Sequence, residues 1–267
     1  WVHYGETVVM VNVTASAKPR EGVDFFPLAV DYEEKLYAVG KIPGGYLKRE
    51  GRPSEKAILN SRVVDRPMRP LFPKDMRNDV AIVMTVLAVD PETQPEIIAM
   101  IGASIAVSIS DIPWNGPIGG ISVGLVDGEI VLMPDAEQRA KSDLQLTVAS
   151  SEKKVVMIEA GANEVPEAVM IDAIYKAHDV NQTLIEFINK IVAEVGKPKH
   201  SYTSCAVPQE LFDAMKEIVP PEEMEQAVFT DVKQVREENI RQITARLEEA
   251  FADREEWLAV LGEAVYQ

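Results

Sequence analysis

Lys48, Arg49 and Arg52 crowd into five residues, next to Tyr46 and Leu47 and just after the Gly44-Gly45 pair. Cations at that density neutralise phosphates, and an aromatic side chain on a mobile tip offers a face for a base to stack on. The chemistry available is therefore the gripping of a sugar-phosphate backbone rather than the making or breaking of bonds. Arg62, Arg66 and Arg69 follow at helical spacing and share one stripe, a geometry suited to successive phosphates. The surrounding stretch, residues 41–77, holds ten Lys and Arg against four acids, a local charge of +6 in a chain of net charge −16. Such an island either holds an anion or is cancelled by acidic neighbours, for instance through ordinary ion pairs to Asp65.

Signatures of covalent chemistry are absent from the sequence. There is no P-loop, no dinucleotide fingerprint, no G-x-S-x-G and no plausible triad, so no catalytic residue is assigned. The glycine-rich run Gly116–Gly120 lacks the G-K-[ST] ending and reads as a turn. His3, His178 and His200 are far apart without metal-ligand spacing, and the lone Cys205 excludes an internal disulfide and a multi-cysteine metal site. The protein's own metal ligands are accordingly read as none. One cysteine fits a reducing, cytoplasmic compartment. No apolar run approaches the ~20 residues of a bilayer span, so a membrane is not an expected partner. With 46% hydrophobic and 26% charged residues the chain can bury a core.

The elements that must position the island follow from periodicity. Residues 7–15 and 25–39 alternate as strands, and Val80–Val89 reads as a strand buried on both faces. Pro53 and Ser54 open a helix, with Ser54 as its cap and Ala57, Ser61, Val64 and Met68 on its core side, while Pro67 predicts an end near Arg66. Pro95–Ser110 predicts a helix whose Gly102, Ala103 and Ser104 permit close packing. Asp127-Gly128 marks a type I′ hairpin turn within 117–133, and 144–149 with 155–159 form another strand pair. Val165–Val195 predicts a helix stopped by Gly196 and Pro198. From Cys205 onward no strand signal remains; residues 205–267 carry fifteen acids and six bases and read as consecutive helices. The expected fold class is α+β, a mixed sheet with packed helices, followed by a small all-α domain. The expected domains are 1–204 and 205–267.

Three stretches, FFPLAVDYEEKLYAVGKIPGGYLKREGRPSE, SRVVDRPMRPLFP and AMIGASIAVSISDIPWNGPIGG, closely resemble the bacterial polynucleotide phosphorylases. The resemblance covers essentially the whole chain. It implies an RNase PH-like core, the first of two, without its opening strands, joined to an incomplete helical linker. It also implies a 3′→5′ exoribonuclease that uses inorganic phosphate to release nucleoside diphosphates in mRNA turnover, working as a homotrimeric ring. The Mg²⁺ cofactor would be bound by the second core, and the RNA-degradation machinery is a further implied partner. The loop matching Tyr46–Arg49 and Arg52 would line a channel for single-stranded RNA; Leu47 and Lys48 replace a second aromatic and a second arginine common there. The candidate RNA-binding residues are Tyr46, Leu47, Lys48, Arg49, Arg52, Arg62 and Arg66.

The same resemblance locates where a catalytic core carries its phosphate turn and metal strand. In this chain those places read Thr93-Gln94-Pro95, flanked by Asp90, Glu92 and Glu96, and Asp143-Leu144-Gln145-Leu146-Thr147. Carboxylates repel phosphate, and a hard cation needs several oxygen ligands, so Glu137 and Asp143 read as surface acids and this core as catalytically silent. The alternative expectation is a purely structural ring-assembly module with no direct RNA contact.

Overall fold

The computed structural model describes residues 1–266, apart from the side chain of Ala259. The chain divides into two compact units. The first comprises residues 1–19, 27–73 and 78–202; the second comprises 203–267 together with the short segments 20–26 and 74–77.

The first unit holds two four-stranded sheets. One has the order β1-β2-β4-β3, from β1 (Val2–Tyr4), β2 (Thr7–Pro19), β3 (Leu28–Glu34) and β4 (Asn78–Ala88). β3 runs parallel to β4 and the other pairs are antiparallel, so only this sheet is mixed. β4 buries Val80, Ile82, Met84 and Val86 on one face, while Ala81 and Val83 on the other remain partly exposed. It is thus buried less evenly than its β-branched run predicts. The expected strand over 25–39 stops at Glu34, and Leu36–Val39 tightens into a 3₁₀ turn closed by left-handed Gly40.

Helix α1 (Glu55–Met68) starts where the sequence predicts, with Ser54 Oγ accepting from the Ala57 amide at 3.1 Å. Pro67 does not end it at Arg66. The proline takes a buried place in the last turn, the chain carries on into a 3₁₀ turn over Arg69–Leu71, and the Arg69 amide donates to the Asp65 carbonyl. A proline loses its own amide bond and crowds the carbonyl four residues back, but one residue from the helix end these costs do not force an earlier stop.

The other sheet, order β6-β5-β7-β8, is wholly antiparallel: β5 (Gly119–Val126), β6 (Glu129–Leu132), β7 (Leu144–Ser150) and β8 (Val155–Ala162). Asp127 and Gly128 both have positive φ, 52° and 81°, as a type I′ turn demands. Between β6 and β7 lies α3 (Ala136–Lys141), opened by an Asp135–Gln138 capping box. Helix α2 (Pro95–Ile109) packs on β2 and β4 of one sheet and on β5 of the other. A Cβ on Gly102 would lie 2.8 Å from Val11 Cγ2, so the close helix–sheet approach requires glycine there. Helix α4 (Glu167–Val195) covers β5 and β7, burying Ala173 and Ala177 with Leu146 and Val148.

The second unit is helical: α5 (Gln209–Ile218), α6 (Pro221–Val228), α7 (Lys233–Ala250) and α8 (Glu255–Tyr266). Its core gathers Leu211, Met215, Ile243, Leu247, Phe251 and Leu261, with Trp257 edge-on to Phe251. Among the described residues no helix is long and apolar enough to cross a membrane.

Candidate functional site

The basic island divides in two. Its N-terminal half lies on the irregular segment between the 3₁₀ turn and α1. Here the Lys48 amide donates to the Gly45 carbonyl at 3.0 Å, closing a tight turn in which Lys48 takes a left-handed φ of 48°. A non-glycine residue in that region stores a little backbone strain, and the turn presents its side chains outward. Tyr46 is 99% exposed and Leu47 70%, values that fit neither a core nor a sheet-packed loop. Lys48, Arg49 and Arg52 are exposed, and no ion pair among the described residues involves them. The base of the loop is tethered by Glu50, whose Oε1 accepts from the Leu36 amide at 2.9 Å.

In the C-terminal half of the island, Arg66, Arg69 and Arg77 are spent on the fold. Arg66 pairs with Glu159 on β8, and its Nη2 also lies 3.7 Å from Met157 Sδ. Arg69 grips Asp65 through both nitrogens, at 2.7 and 3.1 Å, and donates to the Leu28 carbonyl at 3.1 Å. Arg77 is 4% exposed; it donates to Glu263 at 2.8 Å and to the Lys74 carbonyl at 2.6 Å within the helical unit. Lys56 stands 3.7 Å from Glu34, a long contact. Arg62 is exposed and makes no ion pair among the described residues. The structure therefore gathers Tyr46, Leu47, Lys48 and Arg49 on one turn with Arg52 close behind in sequence. Arg62 sits on α1, and Arg66 turns to the second sheet.

A cavity of about 710 Å³ lies under the loop, bounded by Tyr32, Glu34, Arg52, Lys56, Gln94, Glu96 and Arg139 among others. Tyr32 is nearly fully buried, and its hydroxyl donates to Glu34 Oε1 at 3.3 Å. Burial first, then the Glu34 and Glu96 carboxylates, holds its phenol far above the usual tyrosine range. Arg139 is fixed by three backbone carbonyls, of Pro134 at 2.7 Å, Glu92 at 3.0 Å and Pro91 at 3.1 Å. A second cavity of about 440 Å³ has Gln145, Thr147 and Glu159 in its wall and shares Gln94, Glu96 and Arg139 with the first. Arg52, Gln94, Glu96, Gln145 and Thr147 stand out in the sequence; Tyr32, Arg139 and Glu159 do not, because only the fold brings α1, α2, α3 and β7 together.

Around α2 the anion-binding potential of a helix N-terminus meets carboxylates. Gln94 occupies the cap position without a side-chain hydrogen bond, and Glu96 stands in the first turn. Asp90 folds the preceding turn, its Oδ1 accepting from the Glu92 amide at 3.0 Å while its own amide donates to Thr7 Oγ1 at 2.9 Å. Asp143 is exposed near Asn163, and Glu137 sits in the first turn of α3. Among the described residues no group of three or more His, Cys, Asp and Glu side chains could hold a metal ion.

Two family models together take in most of the first unit: the 3′ exoribonuclease family, domain 1, over residues 1–113, and the same family's domain 2 over residues 116–180. The chain belongs to the 3′ exoribonuclease family. Within it, the chain is 64% identical over its whole length to a polyribonucleotide nucleotidyltransferase of Lachnoclostridium phytofermentans. It is 56% identical to that of Ruminiclostridium cellulolyticum, again over the whole chain. In each case it spans 38% of the relative's length. The crystal structure of rice Rrp46 shares the RNase PH-like fold, with a TM-score of 0.58 at 12% identity, covering 71% of this chain and 86% of that one. The α+β class read from the sequence is the observed one.

Proposed function

We propose that this chain is the RNA-guiding first core, residues 1–204, and part of the helical linker, residues 205–267, of a polyribonucleotide nucleotidyltransferase. The whole protein would be a cytoplasmic, homotrimeric phosphorolytic exoribonuclease that shortens RNA from its 3′ end, with inorganic phosphate as co-substrate and Mg²⁺ held outside this chain. The observation that carries the reading is the turn at Tyr46–Arg49: an exposed aromatic beside cations that form no ion pair among the described residues. Every base has a π-face and every nucleotide a phosphate, so such a turn holds single strands without choosing a sequence. The carboxylate at the α2 N-terminus and the single acid at Asp143 support a core that does no phosphorolysis itself. The pairing of Arg66, Arg69 and Arg77 with the chain's own acids supports a structural part for those three.

The test is direct. The 267-residue chain should bind a labelled single-stranded oligoribonucleotide in preference to the corresponding duplex. It should release no nucleoside diphosphate from poly(A) given phosphate and Mg²⁺. Release of diphosphate would overturn the silent core, and equal affinity for duplex would overturn the stacking loop.

A further inference from the structure

Glu50 stands among Lys48, Arg49 and Arg52, where a carboxylate opposes the binding of phosphate. We propose that it is a positioning residue, which closes the neck of the loop and holds the turn at Tyr46–Arg49 in the shape that takes a single strand. This rests on the reading of that turn as an RNA grip.

Both ends of the neck meet at Leu36. Its carbonyl accepts from the Lys41 amide at 3.0 Å, where the chain leaves for the loop. Its amide donates to Glu50 Oε1 at 2.9 Å, where the chain returns. Leu36 is itself fixed, because it opens the 3₁₀ turn that Gly40 closes, and the Ala38 carbonyl of that turn accepts from the Val89 amide at 3.3 Å, just after β4. Between the two anchors the Lys48–Gly45 bond shapes the turn internally. Among the described residues, the Glu50 bond is the one hydrogen bond that ties residues 42–50 to the rest of the chain. Two effects of Glu50 therefore oppose each other. As a charge, it repels the strand, but an exposed charge some 10 Å from a phosphate changes affinity by no more than about twofold in salt solution. As an acceptor, it removes freedom that an open loop would have to surrender on binding, and a charge-assisted bond to a backbone amide outweighs that repulsion. The geometric effect wins.

A charge-matched pair of variants of the 267-residue chain tests this, read by anisotropy of a labelled oligo(A). Glu50→Gln removes the charge but keeps an oxygen to accept from the Leu36 amide, so it should bind RNA roughly one to three times as tightly as the unaltered chain. Glu50→Ala removes the same charge and the acceptor as well, and should bind at least about fivefold more weakly than Glu50→Gln, with the same salt slope. Leu36→Pro reaches the same bond from the donor side. Lys35 is extended, with φ −82° and ψ 134°, as a residue before proline must be, and proline suits the first position of a helical turn. This variant should also bind at least about fivefold more weakly than Glu50→Gln. Equal affinities in Glu50→Gln and Glu50→Ala would overturn the proposal while leaving the RNA grip standing. So would a folded Leu36→Pro that binds like the unaltered chain. An unaltered chain that binds no RNA is a different result: it would overturn the RNA grip, and this proposal with it.

Discussion

Replacing Arg49 and Arg52 together by alanine separates an RNA grip from an internally cancelled charge patch. Counterion release makes the logarithm of affinity fall linearly with the logarithm of salt, with a slope set by the number of phosphates neutralised. The structure leaves Lys48, Arg49, Arg52 and Arg62 exposed and outside any ion pair among the described residues. Four such cations on a single strand give a slope of about −2.8, and removing two of them leaves about −1.4. Between 50 and 200 mM salt, the unaltered chain should then lose roughly fiftyfold in affinity and the double variant roughly sevenfold. Fluorescence anisotropy of a labelled oligo(A) at stepped KCl concentrations reads both slopes. Arg66→Ala is the internal control. Arg66 already faces Glu159, so its loss should shift the slope by well under half a unit, within ~0.5. An unchanged slope in the double variant, or a larger change from Arg66→Ala than from Arg49→Ala/Arg52→Ala, would refute the assignment of the loop.

Three further outcomes are expected. Tyr46→Ala should weaken single-stranded RNA by about 1–3 kcal/mol while keeping the salt slope, since it removes a stacking face and no charge; anisotropy at one salt concentration and its slope together check this. Arg77→Met should leave the slope untouched but destabilise the helical unit by about 3 kcal/mol in urea titration, because Glu263 loses the partner of a largely buried pair. Tyr32→Phe should flatten the alkaline limb of stability. With the folded phenol raised well above 10.0, its contribution is intact below pH 10.0 and drains as pH rises, because the unfolded chain ionises first. The unaltered chain should therefore lose up to about 1.4 kcal/mol per pH unit more than the variant above that point, measured by urea titration at successive pH values.

What the sequence discloses and what it hides follow one rule of distance. The bounds of α2 and the β5–β6 turn are local facts: Pro95 fixes a first helical turn, and Asp127-Gly128 accepts positive φ. The split into two sheets is not local, because β2 finds its partner β4 some seventy residues on and across α1. Nor is the attachment of residues 20–26 and 74–77 to the helical unit. Arg77 looks like one more cation of the island until Glu263, 186 residues away, is seen to accept from it. The twin cavities were hidden for the same reason: Asn60, Gln94, Arg139 and Thr147 have no common spacing.

The same rule explains which half of the island is free. Arg66, Arg69 and Arg77, on α1 or after it, find Glu159, Asp65 and Glu263 in turn, whereas Arg62 stays exposed. The turn at Gly45–Lys48 carries its side chains away from every strand, and its one acid neighbour, Glu50, is already committed to the Leu36 amide. The positive charge there persists because Lys48, Arg49 and Arg52 outnumber Glu50, the carboxylate that lies among them. In a chain of net charge −16, phosphates are disfavoured over most of the surface. On the proposed reading, a turn kept positive in this way, with Tyr46 at its tip, would make RNA binding a property of a few residues rather than of the whole island. That is why two substitutions suffice to test it.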